Sequence, residues 1–132
     1  MTEYLRLEDL LALVEDLGVG PIRDVGLVDS ASARPASSIF GRDAYGDLDH
    51  KAAALLESLV RNHALVDGNK RLGWLALVVF YGLNGVDLEV DDDLAYDLVI
   101  HVASGNLDVP RVAATFAVWR SQQAAGEAQH DG

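Results

Sequence analysis

Residues 59–80 read LVRNHALVDGNKRLGWLALVVF and contain two helix-forming runs joined by a short polar loop. The loop holds Asp67, Gly68 and Asn69, and glycine and asparagine both tolerate the left-handed backbone that a tight connection needs. The run from Lys70 to Leu83 is apolar on nearly every side, which is typical of a helix buried at the centre of a bundle. The stretch therefore predicts two central helices that meet at a sharp polar turn.

The rest of the chain is also mostly helical in pattern. Apolar residues recur every three or four positions in the helices that we predict over 7–17, 25–33, 48–62, 91–103 and 110–123. Two stretches break the pattern, namely RPASSIFGRDAYGD over 34–47 and the alternating VDLEV over 86–90. The expected fold is all-α, a compact helical bundle with a flap, either a loop or a short hairpin, before the central helices.

Composition limits the possible partners. The chain has 132 residues, no cysteine, 10 Lys+Arg and 21 Asp+Glu, which gives a net charge of −11. This length predicts one domain, residues 1–124, followed by a disordered tail over 125–132. The negative charge argues against direct binding of nucleic acid or an anionic membrane through the whole surface. Because the N-terminus lacks a signal-peptide pattern and no apolar run is long enough to span a bilayer, we expect a cytoplasmic protein.

One local basic site stands out against this acidic background. Arg61, Lys70 and Arg71 flank a single loop. Free N–H groups at a helix start, the helix dipole and nearby cations together favour bound anions such as phosphate. Cations are unfavourable at a helix start for the dipole alone, so a function that needs positive charge there would explain them.

Two further groups lie within the same loop. Asp67 offers a carboxylate, the hard oxygen ligand that suits Mg²⁺ together with substrate phosphates. His63 offers an imidazole, which can take a proton from a hydroxyl nucleophile near neutral pH. A histidine at a helix end is more often a cap, and Asp-Gly-Asn-Lys is a common turn. The residues alone therefore leave a phosphoryl-transfer site and a purely structural turn both open.

The segment from His63 to Arg71, HALVDGNKR, resembles the Fic/Doc family signature, which is roughly H-x-F-x-[D/E]-[G/A]-N-[G/K]-R. The resemblance extends from about Tyr4 to Arg120, and its Asn-Lys-Arg ending is similar to the Doc-type branch. The resemblance implies that His63 is the general base and that Asp67 binds Mg²⁺ at the nucleotide phosphates. Phosphate contacts are implied for the remaining site residues, Arg61, Gly68, Asn69, Lys70 and Arg71.

Two positions bear on the reaction. AMP-transferring Fic enzymes have a small glycine where this chain has Lys70, and a second arginine where it has Trp74. Both differences resemble Doc-type members, which act as protein kinases and transfer the γ-phosphoryl group of ATP. AMP transfer is the alternative enzyme function, and a non-catalytic member that acts by binding is the alternative of another class.

The resemblance also implies partners. The 34–47 segment falls where the family has its target-docking flap, so Ile39 and Phe40 are candidate docking residues. The implied substrate is a Ser or Thr hydroxyl of a target protein, which for Doc-type kinases is elongation factor Tu, and the implied outcome is arrested translation. The self-inhibitory motif of many Fic proteins is missing from the sequence, so inhibition is expected from a Phd-type antitoxin of a toxin–antitoxin module.

Overall fold

The computed structural model describes residues 1–131, with side chains up to Glu127. Helices form most of these residues, which confirms the all-α prediction. The α-helices of the described part are α1 (Leu7–Leu17), α2 (Val25–Ala33), α3 (Leu48–Arg61), α4 (Asn69–Leu83), α5 (Asp92–Ala103) and α6 (Val109–Asp131).

Helix α3 lies at the centre of the bundle and packs against α2, α4, α5 and α6. Its residues 51–56 are all buried, and the small alanines at 52–54 let neighbouring helices approach closely. The sequence pattern favoured α4 for the central position, whereas in the structure α3 occupies it. One side of α4 packs against α3. The two helices approach so closely at Gly73 that a Cβ there would collide with the side chain of Val60.

Aspartates start most of the helices. Asp24, Asp47 and Asp91 each accept a backbone N–H of the first turn of α2, α3 and α5, and Asp108 accepts the N–H of Arg111 in α6 at 3.1 Å. These caps satisfy N–H groups that have no partner within the helix and place a negative charge at the positive end of the helix dipole. They explain why helix positions followed well from this acidic sequence.

The last helix is longer than the sequence predicts. It runs over Val109–Asp131, whereas the pattern placed its end near Gln123. Strong helix formers lie on both sides of Gly126, and one glycine weakens a helix without ending it. The division of the chain into a domain over residues 1–124 and a disordered tail over 125–132 stays a prediction.

The alternating stretch 86–90 forms no strand in the described backbone. Gln123 of α6 holds it instead through two backbone contacts. Its Nε2 donates to the carbonyl oxygen of Asp87 at 2.5 Å, and its Oε1 accepts the N–H of Glu89 at 3.0 Å.

Across residues 1–131, helix length and hydropathy together identify no segment that could cross a bilayer.

The flap is a hairpin, one of the two predicted possibilities. Strand β1 (Ser38–Ile39) pairs antiparallel with β2 (Arg42–Asp43). The connecting residues Phe40 and Gly41 both have positive φ, 52° and 77°, which is the pattern of a type I′ turn. Phe40 therefore sits at the tip of a short two-stranded ribbon.

Candidate functional site

The site forms where α3 ends and α4 begins. Residues 62–68 connect the two helices, and Leu65 in the middle of this loop is only 1% exposed. Its buried side chain anchors the loop in the core. Ala64 is also buried, whereas His63, Val66 and Asp67 face solvent. Buried and exposed residues thus divide the loop into an anchoring part and a chemically available part.

His63 is exposed and has a left-handed backbone, with φ 54°. A left-handed conformation is uncommon in residues other than glycine, although histidine adopts it more often than most. A guanidinium nitrogen of Arg23 donates to the carbonyl oxygen of His63 at 2.6 Å. The imidazole is therefore accessible to solvent, and the backbone of its turn is held by a hydrogen bond from Arg23.

The side chain of Asn69 closes the loop on itself. Its Oδ1 accepts the N–H of Leu65 and its Nδ2 donates to the carbonyl oxygen of Leu65, both at 3.0 Å. The amide thus holds the middle of the loop against the first residue of α4. The predicted phosphate contact of Asn69 stays a prediction, and the hydrogen bonds add a structural role that motif spacing did not indicate.

Asp67 and Gly68 form the last part of the loop, directly before α4. Oδ1 of Asp67 accepts the N–H of Gly68 at 2.9 Å, and this carboxylate is exposed. Gly68 has φ 93°, and an added Cβ would overlap the side chain of Val19. Glycine is therefore required for its backbone and for space. The phosphate contact of Gly68 stays a prediction.

Lys70 and Arg71 lie in the first turn of α4, and both side chains are exposed. They line one part of a cleft of about 530 Å³ between α4 and α5. Trp74 lines the same cleft, whose remaining walls are largely apolar. The cleft therefore combines two cations with an apolar surface, next to the free N–H groups at the start of α4.

Arg61 is placed differently from the other two predicted cations. It is exposed in the last turn of α3, and its guanidinium lies beside Gly105, where an added Cβ would be 3.4 Å from one of its nitrogens. Gly105 follows the end of α5. The structure thus places Arg61 near the C-terminal end of α5 and not on the cleft that Lys70 and Arg71 line.

Ile39 and Phe40 are 61% and 101% exposed on the flap. The flap itself is fixed at its base. The ammonium group of Lys51, a buried residue of α3, donates to the carbonyl oxygen of Tyr45 at 2.6 Å, to Asp43 Oδ2 at 3.2 Å and to the carbonyl oxygen of Pro35 at 3.5 Å. One cation thereby joins the entry and the exit of the hairpin.

Sequence reasoning missed Arg23 and Lys51. Neither lies in the motif, and Arg23 precedes His63 by 40 residues. A lysine on an otherwise apolar helix face was a usable signal for Lys51, because a buried ammonium group needs partners. No comparable signal exists for Arg23, since an exposed arginine beside a helix start has no unusual pattern.

The amino-acid sequence of the chain is similar to those of known proteins. Residues 3–81 match the sequence model of the Fic/DOC family. The chain is also 50% identical to a protein named Toxin Doc from Mycolicibacterium smegmatis (strain ATCC 700084 / mc(2)155), over 121 residues that cover 89% of this chain and 93% of that protein. The match includes α3, the loop and most of α4, so the resemblance of the HALVDGNKR segment is confirmed: the chain belongs to the Fic/DOC family.

Proposed function

We propose that the chain is a Doc-type toxin of a toxin–antitoxin module, acting as a protein kinase. It transfers the γ-phosphoryl group of ATP to a Ser or Thr hydroxyl of a target protein. The relative named Toxin Doc supports the toxin assignment. By resemblance to the Doc-type branch, the target is elongation factor Tu and the result is arrested translation in the cytoplasm.

The observation that carries the kinase proposal is the position of Lys70. Its side chain is exposed at the rim of the cleft, beside Arg71 and in the first turn of α4. By resemblance, AMP-transferring Fic enzymes have a glycine here, and a side chain as long as lysine would occupy the space that glycine leaves open and offer its ammonium group to phosphate oxygens. Trp74 lines the same cleft and has no charge to offer a second phosphate. Both residues favour phosphoryl transfer over AMP transfer.

The proposed reaction assigns a role to each group. His63 takes the proton from the target hydroxyl, whose oxygen then forms a bond to the γ-phosphorus. The bond between that phosphorus and the β,γ-bridging oxygen breaks, and ADP leaves with the electron pair. Lys70 and Arg71 neutralise the charge on the phosphate oxygens, which is the main form of catalysis in phosphoryl transfer.

The donor set suits Mg²⁺ bound mainly through the nucleotide. Asp67 is exposed, and among the described residues its carboxylate accepts one hydrogen bond, from the N–H of Gly68, so other lone pairs remain available. Among the described residues, no three His, Cys, Asp or Glu side chains converge as a metal site. Mg²⁺ commonly binds through one carboxylate together with phosphates and water, and when bound it would offset phosphate charge. Asp67 would hold it.

The flap supports the choice of a protein as the substrate. Its two strands are exposed, and a two-stranded ribbon has free backbone groups along its outer edges. An extended target segment can pair with such an edge, with Ile39 and Phe40 packing against it. Neutralisation by a Phd-type antitoxin follows from the toxin–antitoxin proposal and from the missing self-inhibitory motif.

The direct test uses ATP labelled at either the γ- or the α-phosphate, incubated with the protein and a cell lysate. Label from γ but not from α on a discrete protein band supports the kinase proposal. Label from α contradicts it and indicates AMP transfer. Absence of both labels indicates the non-catalytic function, a binding protein that keeps the fold.

The variant His63→Asn tests the role of His63 as the general base. Asparagine tolerates the left-handed backbone at this position but is not a proton acceptor of comparable strength. Loss of a general base should slow the labelling about 10²–10⁴-fold, with an unchanged melting temperature. Full activity of a folded His63→Asn variant would overturn the role of His63.

A further inference from the structure

The backbone around His63 needs support from outside the motif. Helix α3 ends at Arg61, and His63 then adopts φ 54°. A left-handed residue with a side chain persists where its surroundings hold it in place. The direction of the imidazole depends on this turn, so whatever fixes the turn also fixes the proposed base.

A short segment, residues 20–24, runs antiparallel to the loop and supplies that support. The N–H of Val66 donates to the carbonyl oxygen of Pro21 at 2.9 Å, and Ile22 and Leu65 form an isolated β-bridge. The N–H of Gly20 donates to the carbonyl oxygen of Asp67 at 3.0 Å. The loop is therefore paired along its length with the segment that follows the C-terminal end of α1.

Arg23 is the part of this segment that reaches the left-handed turn. Its backbone N–H donates to the carbonyl oxygen of Ala64 at 2.7 Å. Its guanidinium donates to the carbonyl oxygen of His63 at 2.6 Å. One residue thus bonds two successive carbonyl groups, and the second bond is strengthened by the charge of the donor.

We propose that Arg23 is a positioning residue for His63. Its guanidinium holds the carbonyl of the left-handed turn, and the imidazole is thereby kept in the direction from which it reaches the target hydroxyl. This inference rests on the proposed function, in which His63 is the base. Arg23 acts on the proton transfer through the backbone and not through the nucleotide.

The test compares Arg23→Met with Arg23→Lys. Methionine keeps much of the length and removes every donor, whereas lysine keeps one charged donor without the fork geometry. Arg111→Met is the matched control, because Arg111 is an exposed arginine of α6 outside the loop. Each variant is assayed for the labelling rate of the acceptor band at saturating ATP, for the ATP concentration at half-maximal rate, and for the melting temperature.

For Arg23→Met we expect the saturated rate to fall at least tenfold, while the half-saturating ATP concentration changes less than about twofold. Arg23→Lys should fall between this variant and the wild type, and Arg111→Met should match the wild type. A rate within twofold of wild type for Arg23→Met overturns the proposal. A selective rise in the half-saturating ATP concentration also overturns it, because Arg23 would then be a nucleotide contact.

An NMR measurement separates this inference from the proposed function. In the ¹H–¹³C spectrum, the ring signals of His63 should shift in Arg23→Met and stay in place in Arg111→Met. If the wild type transfers no label, the kinase proposal fails, and the NMR result alone decides whether Arg23 sets the position of His63. Unchanged ring signals in a folded Arg23→Met variant contradict the inference. If Arg23→Met does not fold, Arg23→Lys gives the same readouts.

Discussion

Asn69 uses its amide in both directions, as an acceptor and as a donor toward the backbone of Leu65. Asn69→Asp keeps the acceptor but places a carboxylate oxygen against the Leu65 carbonyl oxygen. We expect a loss of about 1–3 kcal/mol in the free energy of unfolding. We also expect a labelling rate reduced tenfold or more, because the loop that carries His63 opens.

Asn106→Asp is the control for this prediction, since Asn106 is exposed and lies outside the loop, after the end of α5. It makes the same change of charge without the loop contacts. Urea unfolding gives the free energies, and the γ-label assay gives the rates. Equal stability of the two variants would show that the Asn69 amide does not hold the loop.

Single residues also show where sequence reasoning was sufficient. The spacing from His63 to Arg71 identified the family, because the loop's chemistry is local in sequence. The steric requirement at Gly68 was not predictable. It depends on Val19, whose side chain approaches only after the chain has folded. Local chemistry is readable from a motif, whereas contacts between distant segments are not.

At the scale of elements, two cations hold the flap: Lys51 from α3 and Arg34, the first residue of the flap segment. Lys51 joins its entry and exit, and Arg34 donates to the hydroxyl of Tyr45 at 2.9 Å and to Glu57 Oε1 at 2.9 Å. Burial by itself would lower the pKa of Lys51. The hydrogen bond to Asp43 and its negative charge outweigh burial, so the pKa of Lys51 lies above its ordinary value. The charged form is therefore favoured in the fold.

Lys51→Met should release the flap while keeping the apolar stem in place. We expect faster hydrogen exchange at the N–H of Ala44, which donates to the carbonyl oxygen of Ser37 at 2.8 Å. We also expect a stability loss of about 1–3 kcal/mol near neutral pH. Arg42→Met, an exposed change on β2, is the control. Unchanged exchange at Ala44 would contradict the anchoring role.

The pH dependence of this effect has a definite sign. Because the folded pKa of Lys51 is raised, its contribution is fully present below the unfolded value of about 10.4 and is lost as the pH rises through the folded pKa. The difference in melting temperature between wild type and Lys51→Met should therefore be constant at neutral pH and shrink above about pH 10. A difference that grows toward alkaline pH would show the opposite linkage.

Element boundaries followed from the sequence where a local signal marks them. The cap at Asp47 and the left-handed Gly18 (φ 67°) delimit helices close to the predicted positions. The end of α6 lacks such a signal, and the prediction stopped too early there. The choice between a loop and a hairpin for the flap stayed open, because its strands contain only two residues each.

At the scale of the whole molecule, a polar cluster joins α3, α4 and α6. Oδ1 of Asp49 in α3 accepts the hydroxyl of Tyr81 in α4 at 2.7 Å and a guanidinium nitrogen of Arg120 in α6 at 2.8 Å. Burial and the hydrogen bond to Asp49 raise the pKa of Tyr81 well above its ordinary value, so its hydroxyl stays a donor. The cluster connects α3 and α4, which carry the site, to the last helix.

Tyr81→Phe removes one donor to Asp49 and leaves Arg120 in place. We expect a loss of about 1–2 kcal/mol, and a double-mutant cycle with Arg120→Met should show non-additivity, because both residues bond the same oxygen. The free energies come from urea unfolding of the four proteins. Additive losses would mean that the two contacts are independent. Thr115→Val, at a half-buried position of α6 outside the cluster, serves as a control.

The distribution of charge gives the last prediction. The chain has 10 basic residues and a net charge of −11. Several of these basic residues are neutralised by ion pairs within the fold. Arg34, Lys51 and Arg120 form ion pairs with carboxylates. The acidic residues outside these pairs therefore dominate the remaining surface, which should attract a basic partner from a distance and repel polyanions.

If the proposed antitoxin is basic, its association rate with this chain should fall at least tenfold between about 50 and about 500 mM salt, because screening shortens the reach of the surface charge. The dissociation rate should change much less, since it depends on the close contacts of the complex. Stopped-flow association at several salt concentrations measures both rates. An association rate that does not vary with salt would show that the acidic surface plays no part in the encounter.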